Sequence, residues 1–310
     1  MGHVVKIVSE QTINKMKEFY QSSLKQTPPH ALFSAKVNQT TITAYKSGKV
    51  LFQGVNSEQE ASRWDGKEAT KKNSNSVAAQ SHHYSPSPSL FTQSIIGSDE
   101  AGTGDYFGPI TVVAAYVRSD QIELLRELGV RDSKNLTDQS IEKIAQDILL
   151  CEIPYSSMVL PNPKYNQLQA RGWTQGKMKT MMHDAVINSL LKKISPTKPD
   201  GILIDQFSEP GVYINHLKKE NKQLPESTYF ITKAESHSIA VATASILARA
   251  RFVQEMDRLS KNVGFTLPKG ASAKVDQAAS YIIRDKGEAF LQNIAKVHFA
   301  NTNKATAYLK

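Results

Sequence analysis

Ile95-Ile96-Gly97-Ser98-Asp99-Glu100-Ala101-Gly102-Thr103-Gly104-Asp105-Tyr106-Phe107-Gly108-Pro109 runs directly into Ile110-Thr111-Val112-Val113-Ala114-Ala115-Tyr116-Val117. Two apolar runs of strand length flank adjacent carboxylates and a glycine cluster, so acidic groups are delivered to a strand end where backbone can approach a ligand closely. An ordinary acidic hairpin connection would account for Gly102 and Gly104. It gives no reason for Asp99 and Glu100 at the inner end of the strand. The stretch therefore predicts a site carried by a buried sheet.

Two further stretches have the same form. Gly201-Ile202-Leu203-Ile204-Asp205 is an apolar strand ending in a carboxylate, and Phe230-Ile231-Thr232-Lys233-Ala234-Glu235-Ser236 passes from a strand toward a helix of about 23 residues. In that helix Ile239, Ile246 and Val253 share a face, and a series of alanines from Ala240 to Ala250 keeps it slim enough to pack closely on a sheet. If the strands are neighbours, Asp99, Glu100, Asp205 and Glu235 gather at one sheet edge. Gathered carboxylates repel and are costly to desolvate, so such a cluster calls for a cation. Oxygen donors without cysteine point to Mg²⁺ or Mn²⁺. Two such ions roughly 3.5–4 Å apart are the arrangement of two-metal nucleases and polymerases. Taken singly, each acid also has a plainer reading, as a turn residue or a helix-dipole partner.

The chain of 310 residues is long enough for two domains, and its net charge of +9 favours a polyanionic partner. Residues 1–90 carry net +5 and the remaining 220 net +4, so the front is more basic per residue. That front reads as a small α/β unit: a strand at Val4–Val8, a helix from Thr12, and strands at Ala31–Val37, Thr41–Tyr45 and Lys49–Gln53. Ser57 and Glu60 have the spacing of a capping box. Residues 67–92, with Ser85-Pro86-Ser87-Pro88 and few large apolar groups, read as a flexible linker. The remainder, 93–310, alternates strands and helices. Its Gln175–Lys193 helix has Met178 and Met182 on a core face; Pro161 and Pro163 close a strand; a helical region spans Val275–Ala295 ahead of a tail from Val297. Thr137 suits the N-cap of a helix starting near Asp138. Cys151 is the single cysteine, which excludes an intrachain disulfide and a multi-cysteine zinc site and suits a reducing cytoplasm. No apolar run is long enough to span a bilayer.

Gly97 through Pro109, with Asp132-Ser133-Lys134, Ile204-Asp205, Lys233-Ala234-Glu235-Ser236 and Ala244-Ser245-Ile246-Leu247-Ala248-Arg249, resembles the type 2 ribonuclease H group over nearly all of residues 94–300. Tyr45-Lys46-Ser47-Gly48-Lys49, continuing to Gly54 and Ser57, is similar to the hairpin and helix start of the TATA-binding-protein repeat; a generic hairpin with solvated lysines is the alternative. The resemblance implies an α/β chain: an RNase H-like catalytic domain (mixed sheet flanked by helices, 93–310), preceded by a small TATA-binding-protein-like α+β domain (1–66). It implies endonucleolytic hydrolysis of RNA in RNA/DNA hybrids, leaving 5′-phosphate and 3′-hydroxyl ends, by a cytoplasmic and monomeric enzyme. Asp99, Glu100, Asp205 and Glu235 would be catalytic carboxylates and ligands of two Mg²⁺ or Mn²⁺ ions. Gly102, Thr103 and Gly104 would read 2′-hydroxyls, Ser133 and Lys134 would meet phosphate, and Tyr45, Lys46 and Lys49 would contact the hybrid from the front domain. Two rival readings are a non-catalytic hybrid- or DNA-binding protein on this fold, and cleavage at single embedded ribonucleotides as in ribonuclease HII. Against the second, Ala271 stands in Lys269-Gly270-Ala271-Ser272 where the sibling has tyrosine.

Overall fold

The structure, a computed structural model, describes residues 3–28, 31–68, 82–131 and 136–309. β1 (His3–Ile7) leads to α1 (Glu10–Phe19), where Ser9 Oγ accepts from the Thr12 amide as N-cap. Then come β2 (Ala31–Val37), β3 (Thr40–Tyr45), β4 (Lys49–Gly54), α2 (Ser57–Ser62) and the two-residue β5 (Lys67–Glu68). The sheet is antiparallel throughout, in the order β2-β3-β4-β1-β5. Asn38 and Gln39 both have positive φ, 46° and 61°, as a two-residue hairpin turn requires. Alternation along β2 to β4 sends Phe33, Ile42 and Phe52 to one face, where they enclose Ile13, Met16 and Tyr20. The capping box expected at α2 does not form. Asn56 precedes the helix, and the buried Glu60 instead accepts from the Tyr20 hydroxyl at 2.7 Å.

The second sheet begins with β6 (Ile95–Ala101) and β7 (Ile110–Val117). After them come α3 (Ile122–Glu127), α4 (Asp138–Leu150), β8 (Tyr155–Leu160), α5 (Asn162–Ala170) and α6 (Gln175–Ile194). β9 (Gly201–Asp205), α7 (Pro210–Lys219), β10 (Thr228–Ile231), α8 (Ile239–Val263), α9 (Ala273–Lys286) and α10 (Ala300–Ala307) complete the chain. The order is β10-β9-β6-β7-β8, with β6, β9 and β10 mutually parallel and β7 antiparallel to both its neighbours. This is the mixed, helix-flanked sheet of an RNase H-like fold. Even-numbered residues of the central strands, Ile96, Val112 and Ala114, pack with Met178, Met182 and Val186 of α6. Odd-numbered ones face α8: a Cβ on Gly97 would lie 2.2 Å from the Ala240 carbonyl carbon, and Thr111 Oγ1 donates to Ala248 O at 2.8 Å. Only glycine lets the helix backbone come this close.

The chain divides into two compact units, 1–78 with 120–129 and 147–152, and 79–119 with 130–146 and 153–310. Part of the expected linker is built into the second unit. Pro88–Thr92 forms a short 3-10 turn with Leu90 buried, and the Phe230 amide donates to Tyr84 O at 2.9 Å. Residues 69–81 of that linker lie outside the described residues. No helix among the described residues is long and apolar enough to cross a membrane.

Candidate active site

The register of the second sheet assembles the acids. Ser98 pairs with Ile204 across the parallel β6 and β9, so Asp99 and Asp205 come next to each other on the face toward α8. Ile231 pairs with Asp205 from the other side, and β10 runs into a 3-10 turn, Ala234–Ser236, that carries the buried Glu235. The Ala234 amide donates to Asp205 Oδ1 at 2.8 Å, which joins this turn to the strand end. Asp99, Glu100 and Asp205 line one cavity of about 470 Å³ together with Gly102, Thr103, Gly104 and Ser245.

Asp99 and Glu100 are adjacent in a strand, so they leave it on opposite faces. Each meets a different helix. Burial raises the Asp99 pKa well above the usual carboxylate range, the charges of Glu100 and Asp205 raise it further, and a hydrogen bond from Ser245 of α8 only partly offsets them. Glu100 points toward α6, where Lys179 Nζ stands 2.8 Å from Oε1 and His183 Nε2 stands 2.9 Å from Oε2. Burial alone would raise the Glu100 pKa, but the His183 and Lys179 contacts outweigh it and the net shift is downward. His183 Nδ1 lies 2.7 Å from Ser98 Oγ, which itself donates to Val113 O. Lys179 and His183 are missing from the sequence expectation. Their signal was present: two polar residues one helical turn apart, each following a core methionine, Met178 and Met182.

The glycine-rich loop is held from several sides. Gly102 has φ +86°, and a Cβ there would meet Pro109 O at 2.3 Å. The Gln175 side chain donates to Thr103 O at 3.0 Å, and the Gly270 amide donates to Asp105 Oδ1 at 2.6 Å. The buried Lys296 ammonium donates to Asp105 O at 2.7 Å and to Gly108 O at 2.6 Å, where Asn162 also donates. Gly104 alone faces open space. At the cavity's rim Asp138 pairs with Lys269 and, at 3.4 Å, with Arg249.

The other expected contacts fare differently. Lys46 is exposed. Tyr45 is buried at 4% exposure, its pKa raised by burial and then by Glu123 and Glu127, and Lys49 is paired with Glu127 of α3. Burial takes Tyr45 out of reach of a ligand, and Lys49, still partly accessible, is engaged by an acid of α3, distant in sequence. Ser133 and Lys134 lie outside the described residues.

The donor set suits a hard divalent cation: three of the four expected carboxylates, Asp99, Glu100 and Asp205 but not Glu235, line one cavity, and the charge of Asp99 is strongly disfavoured without a cation. Among the described residues no three of His, Cys, Asp and Glu are yet grouped as a ready-made metal cage.

Sheet and acids together define a type 2 ribonuclease H, an endoribonuclease that uses Mg²⁺ or Mn²⁺. The Ribonuclease HII family matches residues 96–302, and a domain of unknown function, DUF3378, matches residues 3–77. Ribonuclease HIII of Oceanobacillus iheyensis is 55% identical over 100% of both chains, and that of Bacillus mycoides is 53% identical over 97% of both. Bst-RNase HIII in complex with Mn²⁺ superposes with a TM-score of 0.70 at 44% identity, covering 100% of this chain and 99% of that one. The ribonuclease H2 of Pyrococcus horikoshii, at 20% identity, 70% coverage of this chain, 100% of that one and a TM-score of 0.58, shares the fold. The chain belongs to the ribonuclease HIII family.

Proposed function

We propose that this chain, acting as a monomer, cuts the RNA strand of RNA/DNA hybrids internally and leaves 5′-phosphate and 3′-hydroxyl ends, with Asp99, Glu100, Asp205 and Glu235 as ligands of two divalent ions. The observation that carries this reading is the placing of Asp99 beside Asp205 on adjacent parallel strands, with Asp99 buried among negative charges. Such a pair gains most from a cation that joins it to a phosphate. When bound, the ions supply Lewis acidity toward the scissile phosphate and a nucleophile from water at neutral pH.

The chain's own groups do the rest. Strand β6 fixes Asp99 and Glu100, the Ala234 amide orients the Asp205 carboxylate through Oδ1, and Ser245 donates to Asp99. Beside them the backbone around Gly104 is open to approach, and a 2′-hydroxyl there distinguishes RNA from DNA. The exposed Lys46 adds attraction for the polyanion from the basic first 90 residues.

The reading is tested by offering end-labelled hybrid, and a duplex holding a single ribonucleotide, with Mg²⁺, Mn²⁺ or EDTA. The expected result is internal cutting of the hybrid RNA with either ion and none in EDTA, products that a polymerase extends from their 3′ ends, and much slower cutting of the single-ribonucleotide duplex. Metal-independent cutting, or products that cannot be extended, would overturn the two-ion chemistry. Equal cutting of both duplexes would overturn the hybrid preference.

A further inference from the structure

Lys179 and His183 stand one turn apart on α6, 9% and 0% exposed. Together they engage both oxygens of Glu100, at 2.8 and 2.9 Å. Phe207 covers them: its ring centroid is 3.9 Å from Lys179 Nζ and 5.2 Å from the stacked His183 ring. A lysine this buried is costly to desolvate unless an anion faces it, and Glu100 is that anion. The other half of the cluster is treated in the opposite way, since the charges acting on Asp99 are those of Glu100 and Asp205, both negative. One face of strand β6 thus sets a cation directly against its carboxylate, whereas the charges acting on the carboxylate of the other face are negative.

We propose that Lys179, positioned with His183, is a built-in counter-cation for Glu100 that stands in for the divalent ion while the site is empty and competes with that ion for the carboxylate. The inference rests on Glu100 being a metal ligand. Its physical content is an exchange. For Glu100 to turn to an ion it must share or release the oxygens that α6 holds, and two cations brought near one carboxylate repel each other. Intrinsic affinity for the ion is lowered by that much. In return the empty enzyme has one uncompensated carboxylate fewer to bury. Lys179 and His183 act through Glu100 and are positioning residues.

The test is calorimetric titration of Mn²⁺ into metal-stripped, full-length protein at pH 8 without substrate, combined with thermal melting in EDTA and in saturating Mn²⁺. Lys179→Met is expected to bind Mn²⁺ about tenfold tighter than the wild type. In EDTA it should melt lower than the wild type, and Mn²⁺ should restore most of the difference, so that the metal-induced rise in Tm is larger in the variant. Lys179→Arg keeps the charge and should titrate like the wild type. If Lys179→Met does not fold in EDTA, Lys179→Gln, which keeps a donor without the charge, makes the same comparison. Equal or weaker Mn²⁺ binding by a charge-neutral variant overturns the proposal. So does a drop in Tm of the same size with and without Mn²⁺, which marks a packing residue, and so does a charge-neutral variant that Mn²⁺ cannot fold. A wild type that takes up no Mn²⁺ overturns instead the assignment of Glu100 as a ligand.

Discussion

The molecule contains two five-stranded sheets that handle charge in opposite ways. In the N-terminal unit the charges near the sheet find partners inside the unit: Lys49 meets Glu127, and the buried Glu60 takes a hydrogen bond from Tyr20 and an ion pair from Arg63. In the catalytic unit, strand ends bring Asp99 and Asp205 together with like charge facing like. Where each charge meets an opposite charge the sheet is scaffold, and where like charges are set side by side a bound cation has the most to contribute. Residue type alone does not tell these cases apart, for Lys49 and Lys46 differ by three positions in one hairpin, yet Lys49 is ion-paired with Glu127 while Lys46 is exposed.

The largest effect belongs to the repelling pair. Asp205→Asn should lower kcat on a hybrid by about 10³-fold or more while hybrid binding, measured in Ca²⁺ or EDTA, changes little; retained Mg²⁺-dependent turnover would break the contrast between the sheets. Next comes the contact that fixes the acids in place. Gly97→Ala would drive a methyl into the backbone of α8 and should destabilise the catalytic unit by about 3 kcal/mol or more in urea unfolding.

A smaller effect concerns Lys296, whose pKa is lowered by burial from 10.5 to about 7. Below pH 7 both folded and unfolded chains hold the proton, and the cost of burying the charge is fully present. Between about pH 7 and 10.5 the folded chain releases that proton while the unfolded chain keeps it, so stability should rise with pH across that window. Lys296→Met should lack this rise, read as the difference between the two proteins' unfolding free energies at pH 6.5 and 9. The smallest effect separates the two hairpin lysines. Lys46→Ala should reduce the slope of log affinity against log salt by about 1, and Lys49→Ala should leave it unchanged. Equal slopes for the two variants would show that the ion pair with Glu127 does not withhold Lys49 from the substrate.

Much of the catalytic sheet was legible in the sequence because its strands are continuous apolar runs that end in carboxylates, a pattern with few other uses. The expectation that all the acids gather at one edge left out strand period, which sends Asp99 and Glu100 to opposite faces of β6; which helix covers each face depends on chain order in space, and so the partners Lys179, His183 and Ser245 could not be paired with their acids in advance. Helices α5 and α7 were obscured by proline: Pro163 and Pro210 sit in their first turns, where the missing N–H costs nothing, and the sequence around Pro161 reads equally as a strand's end. The region read as one helix to Ala295 is α9 followed by a 3-10 turn, Glu288–Asn293, and the expected tail holds α10. Gly287, with φ 83°, marks the break. Tyr45 departs from expectation for a different reason: it is buried, and the acids whose charges act on it come from α3, about 80 residues further along the chain. The other misreadings near the junction are local competition: Glu60 had a better partner in Tyr20 than in the helix cap, and Tyr84 and Leu90 had a sheet edge and a core to join.

The closeness of α8 to Gly97 also sets how the enzyme fails. Only Ser98 separates that contact from Asp99, so the acid-bearing strand cannot fray without lifting a 25-residue helix from the sheet. Its amides should belong with the slowest-exchanging protons of the domain, and loss of activity on heating and loss of the fold should be one event with one rate.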